Sequence, residues 1–243
     1  MTENAHRPVT APEPVLAGEH RERDLHVLDR LASHLHERYA EAVDRPTVER
    51  VVAECYEELD RTATVKTFLA TSAARFAESR VRALAIARGA VESPLPRVLF
   101  VDDLNAGRSQ MAAALVLRHS GGLVTARSAG LEPAGHVHED ALAAMEEVGV
   151  PLHHAFPKPL TPDVHAAAQV VITFDCADRV PRLDGKDYRD WAIPNLVGRP
   201  LEDIRRAREE IDARVRELVR ELGPDTGRPD GSAPSSSSVP RAA

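Results

Sequence analysis

The residues best placed for chemistry lie in one run, Asp102-Asp-Leu-Asn-Ala-Gly-Arg-Ser-Gln110, directly after the apolar stretch Val98–Val101 and before the amphipathic segment Met111–Arg118. A strand, a small-residue turn and a helix start make an anion site, because several backbone N–H groups converge and the helix dipole adds to them. Asn105, Gly107, Arg108 and Ser109 are therefore the candidate oxyanion-binding residues. Arg108 is spaced to bring a guanidinium over the turn, where it binds a tetrahedral oxyanion bidentately. Asp102 stands at the strand end with its carboxylate available to the same turn. Its neighbour Asp103 points to the opposite face of an extended chain, so the two acids do not form a metal pair. The histidine pairs His34 and His36, His136 and His138, and His153 and His154 have no Cys or acid at metal-ligand spacing. No metal or cofactor is expected. Cys176 follows Phe174-Asp175 beside the expected cleft, and Cys55 falls in an apolar stripe.

The run resembles the phosphate-binding loop of the low-molecular-weight protein tyrosine phosphatase and arsenate reductase family, whose pattern is Cys-x-x-Asn-x-x-Arg-Ser, often followed by Gln. Asn105, Arg108, Ser109 and Gln110 match it, and Asp102 stands at the position of the nucleophilic Cys. The resemblance continues through Ser128-Ala-Gly130, Glu132-Pro133, Pro157-Lys-Pro-Leu-Thr161, Asp190-Trp191 and Gly198. It departs again at Asn195-Leu196, where the family carries the Asp-Pro of its general acid, and at Val180, where a thioredoxin-linked branch has a further Cys; Cys176 matches a Cys of actinobacterial relatives.

The resemblance implies a low-pKa thiolate held by loop amides, and an acid that protonates the leaving oxygen. Asn195 offers no ionisable proton. A carboxylate cannot be the two-electron reductant that sulfur is, so thiol-type arsenate reduction at Asp102 is excluded. A carboxylate can accept a phosphoryl group, but Leu104 occupies the place of the second acid of an Asp-x-Asp motif. Asp102 is expected to fold into the loop and pair with Arg108, an attraction of roughly 4 kcal/mol at about 4 Å and an effective dielectric of about 20, before desolvation. The expected protein is a pseudoenzyme. The alternative is an active phosphatase or arsenate reductase working through the Asp102–Arg108 loop or Cys176.

The elements that must hold this loop are legible in the spacing of apolar residues. The proline-rich stretch to about residue 20 reads as a disordered tail, and 21–90 as three helices. The first carries Leu28, Leu31, Leu35 and Tyr39; the second, capped by Thr47, carries Val48, Val51, Val52, Cys55 and Leu59. The third starts near Thr62 or Thr64 and ends at Gly89. Such a bundle has a thin core and is expected to complete itself against a partner. It resembles the N-terminal domain of actinobacterial family members, which implies a homodimer. Residues 96–222 alternate strand and helix, the pattern of an α/β domain with a parallel doubly wound sheet. Residues 223–243 are rich in Pro, Gly and Ser and read as a second tail. With a net charge of −7 and no apolar run of membrane length, nucleic acid and membrane are not expected partners. Two cysteines make no disulfide framework, so the default location is cytoplasmic. A phosphate- or arsenate-like anion is the candidate ligand.

Overall fold

The computed structural model describes residues 14–62, 66 and 68–223. The expected C-terminal tail beyond Gly223, the first part of the N-terminal one, and Thr64 lie outside them. Helix α1 (Pro14–Tyr39) begins inside the stretch expected as a tail, with Pro at its first position, where its missing N–H costs nothing. Helix α2 (Arg45–Thr62) is capped by Asp44 rather than Thr47: the Asp44 carboxylate accepts the Thr47 amide at 3.0 Å, because Thr47 already lies in the first turn. Thr62 ends α2, and α3 (Leu69–Ala87) starts after it. Gly89, at φ 73°, closes α3 in the left-handed conformation expected of it.

The remainder runs β1 (Arg97–Asp102), α4 (Arg108–Ser120), β2 (Thr125–Gly130), α5 (Glu139–Glu146), α6 (Pro162–Ala167), β3 (Val170–Thr173), β4 (Asp187–Asp190) and α7 (Leu201–Leu222). All strand pairs are parallel, in the order β2-β1-β3-β4. The chain leaves β1 towards β2 and returns to its other side with β3, so the direction of winding switches at the carboxyl ends of β1 and β3. That is where a doubly wound sheet holds its ligand.

One sheet face, through Val98, Phe100 and Ile172, packs on Met111 and Leu115 of α4, Met145 of α5, and Ile204, Ile211, Val215 and Leu218 of α7. The opposite face, through Leu99, Val101 and Val171, packs on Val164 and Ala167 of α6 and on Ala83 of α3. The N-terminal helices are thus not an appendage, because α3 is part of the cover of the sheet. Their core also takes in Phe156 of the α/β domain, whose ring meets Phe76 edge-on at 6.4 Å. Across this junction Arg80 of α3 donates to the buried Asp163 of α6 at 2.8 Å. Among the described residues no helix is long and apolar enough to cross a membrane.

Candidate active-site loop

The loop between β1 and α4 is shaped by where its carbonyls go. The segment after β2 runs alongside it and donates Leu131 N to Asp102 O, Glu132 N to Asp103 O, Ala134 N to Leu104 O and His138 N to Ala106 O. With the carbonyls drawn outward, loop amides are left facing inward. The close approach requires Gly130: a Cβ there would lie 2.9 Å from Asp103 O and 3.0 Å from Asn105 N. Asn105 takes a left-handed φ of 48°, which Asn tolerates better than most residues. Its fully buried side chain ties the turn together. The amide nitrogen donates to Ser109 Oγ at 2.9 Å, while Oδ1 accepts Gln110 Nε2 and Lys158 N, both at 3.0 Å. Ser128 Oγ joins Gln110 Oε1 to Lys158 Nζ, each at 3.1 Å.

Asp102 lies inside this cradle. One carboxylate oxygen accepts Asn105 N at 2.6 Å and the other Ser109 N at 3.0 Å, so the side chain caps the start of α4. Burial raises its carboxyl above the usual range, against the lowering pull of the Ser109 and Asn105 hydrogen bonds and of Arg108. The expected pair with Arg108 does not form. Arg108 Nη1 instead donates to Asp175 Oδ2 at 2.9 Å and to Ile193 O at 2.7 Å, and the guanidinium lies 5.6 Å from the Phe174 ring centre. These contacts draw it to the ends of β3 and β4, while each oxygen of the aspartate already accepts a backbone amide. Asp103, as its alternation predicts, points away and pairs with Arg179 at 2.5 Å. Above the loop, Leu196 and His138 close in: a Cβ on Gly107 would lie 3.2 Å from Leu196 Cδ1 and 3.6 Å from His138 Cδ2. The space left among Asp102, Arg108, His138, Asn195 and Leu196 is about 10 Å³, enough for roughly one water.

Residues 97–227 match the family model of the low molecular weight phosphotyrosine protein phosphatase, more than half of the chain. The chain belongs to this phosphatase family. Residues 28–85 match a protein-tyrosine-phosphatase-like N-terminal domain. A thioredoxin-dependent arsenate reductase of Corynebacterium glutamicum is similar in structure, with 43% identity and a TM-score of 0.73, covering 81% of this chain and 96% of that one. A putative arsenate reductase of Halobacterium salinarum is 34% identical over 131 residues, 52% of this chain and 92% of that protein. A glutaredoxin arsenate reductase of Synechocystis is 30% identical over 131 residues, 53% of this chain and 99% of its own length.

Relative to the phosphatase-family pattern, neither cysteine of this chain enters the cradle. Cys176 faces the other side of the sheet, where its Sγ lies 3.5 Å from Val101 O among Leu99, Val101 and Val180, and burial pushes its thiol up to about 11. Cys55 is buried in the helical core against Arg80, its thiol pushed up to about 12 by burial. Asn195 reaches the rim of the loop, where its Oδ1 accepts Val197 N at 3.1 Å. Among the described residues no three His, Cys, Asp or Glu side chains cluster as a metal site would require. Four participants were not assigned to the loop from the sequence: Asp175, His138, Lys158 and the plugging role of Leu196. Asp175 carried one signal, since the residue following a strand adjacent to β1 lies at the same sheet edge.

Proposed function

We infer that this chain is a non-catalytic member of its family, acting through binding of a partner or an oxyanion and through self-association, and not through turnover. The observation that carries this reading is the seat of Asp102. A carboxylate occupies the position of the family's attacking sulfur and accepts the amides that would hold an incoming oxyanion. Leu196 and His138 over Gly107 support it, because they stand over the mouth of the loop, where an anion would have to enter. Asn195 supports it too, as general-acid assistance worth about 10²–10⁴-fold has no donor there. Homodimer formation fits the apolar residues α1 leaves in solvent, Leu25 at 52% and Val27 at 40% exposure.

A second reading has its own support in the Corynebacterium relative, similar over nearly all of that enzyme's length. Under it the chain acts on phosphate or arsenate, with Asp102 as phosphoryl acceptor or Cys176 as thiol.

Assays of the full chain on an aryl phosphate, and on arsenate with thiol reductants, separate the two. The expected result is no turnover by the wild type and measurable aryl phosphate hydrolysis after Asp102→Cys, Asn195→Asp and Leu196→Pro together. Wild-type turnover that disappears in Asp102→Ala or Cys176→Ser would establish the second reading instead.

A further inference from the structure

Away from the loop, three arginines from three elements line one crevice between the helical domain and the sheet: Arg82 of α3, Arg97 at the start of β1 and Arg127 of β2. Strand alternation puts Arg127 and Arg97 on the sheet face that α3 and α6 cover, Arg127 being in register with Leu99. Arg97 is anchored by its Nε to Ala167 O at 2.6 Å and its Nη1 to Ser93 O at 3.0 Å. Those bonds fix the guanidinium and neutralise nothing. Among the described residues Arg82 and Arg127 make no side-chain hydrogen bond and no ion pair. The carboxylate that acts on Arg127 is Asp163, which already pairs with Arg80 at 2.8 Å. The crevice is therefore cationic without a counter-charge of its own, in a chain whose net charge is −7.

We propose that this crevice binds a phosphoryl group, with Arg82, Arg97 and Arg127 as its ligands and both domains contributing. Three arginines lining one crevice from different elements suit a tetrahedral, multiply charged oxyanion better than a carboxylate, which offers two oxygens and one charge. The space among them is about 10 Å³, so the phosphoryl group sits at the rim and the body of its ligand stays in solvent. Like-charge crowding leaves its trace on the groups themselves. Arg127 is pushed down to about 10 by burial and by Arg82, with Arg97 adding to it. Lys158 is pushed down to about 8 by burial and by Arg127. A bound dianion relieves both. The three arginines stand apart from the residues that line the Asp102 loop, and the proposal does not depend on whether that loop turns over.

The test is calorimetric titration of the full chain with inorganic pyrophosphate at fixed ionic strength, in parallel with Arg82→Gln, Arg127→Met and Arg108→Met. Losing one charge-assisted contact should weaken binding about tenfold or more. Support is pyrophosphate binding by the wild type that weakens by this factor in Arg82→Gln and is unchanged in Arg108→Met. Arg82 is exposed, so this variant keeps the test decisive if Arg127→Met fails to fold. No binding at millimolar pyrophosphate would overturn the proposal. So would binding lost in Arg108→Met but intact in Arg82→Gln, or equal displacement by acetate. A second readout needs no ligand: in anion-free buffer Arg82→Gln should melt at the same or a higher temperature, and a clearly lower one counts against an uncompensated cationic crevice.

Discussion

Asp102 does at residue scale what a bound anion would do, satisfying inward-facing amides at the start of α4. Its replacement by Ala leaves Asn105 N and Ser109 N without acceptors in a buried loop. The expected cost is about 1–2 kcal/mol, in the range of a lost helix cap, read as a lower urea midpoint. Lys158 makes a second prediction. Its ammonium is held at about 8 in the fold against an ordinary 10.5. Between those values the folded chain has released this proton and the unfolded chain still holds it. The unfolded state then binds more protons, and stability rises with pH. The difference between wild type and Lys158→Met, followed by urea titration at a series of pH values, should shift in favour of the wild type above about pH 8. A difference independent of pH would contradict the assigned environment.

At the scale of elements, the junction of α3 and α6 rests on Arg80 and Asp163, whose side chains are 10% and 4% exposed. Removing one partner of such a pair strands the other, at about 3–5 kcal/mol. Arg80→Met should therefore destabilise strongly, and adding Asp163→Asn should recover part of the loss; additive effects in a double-mutant cycle would show the pair to be unimportant. This junction also marks the limit of what the sequence discloses. Helix α7 and strands β1 and β3 are written in it, because Ile204, Ile211, Val215 and Leu218 recur at helical spacing and the strands are short apolar runs bounded by turns. The loop's Asn105, Arg108 and Ser109 are legible as a spacing. The contact of Arg108 with Asp175 and Ile193 is not, since those partners are brought to it only when β3 and β4 take their places in the sheet. Nor is the cap of α2: Asp44 and Thr47 are both good capping residues, and only the backbone of the first turn decides between them.

For the whole molecule, the shared cover of the sheet changes how self-association must be tested. Cutting before Val91 would strip Ala83 of α3 from Leu99 and Val101 and uncover that face, so aggregation is the expected outcome of truncation. Charge placed on α1 is cleaner. The wild type is expected to have twice the chain mass by light scattering, and Leu25→Glu with Val27→Glu to have the single-chain mass without change in its helical circular dichroism. A wild type of single-chain mass would remove self-association from the proposed function.

Since the loop carries its own tenant, its form owes nothing to a visitor. The amide protons of Asn105 and Ser109 are engaged by Asp102, and hydrogen exchange should find them as slow as those of the neighbouring strands whether or not phosphate is present. On the proposed reading, a scaffold that keeps its shape without cargo is one in which changing a handful of codons would suffice to rekindle the reaction.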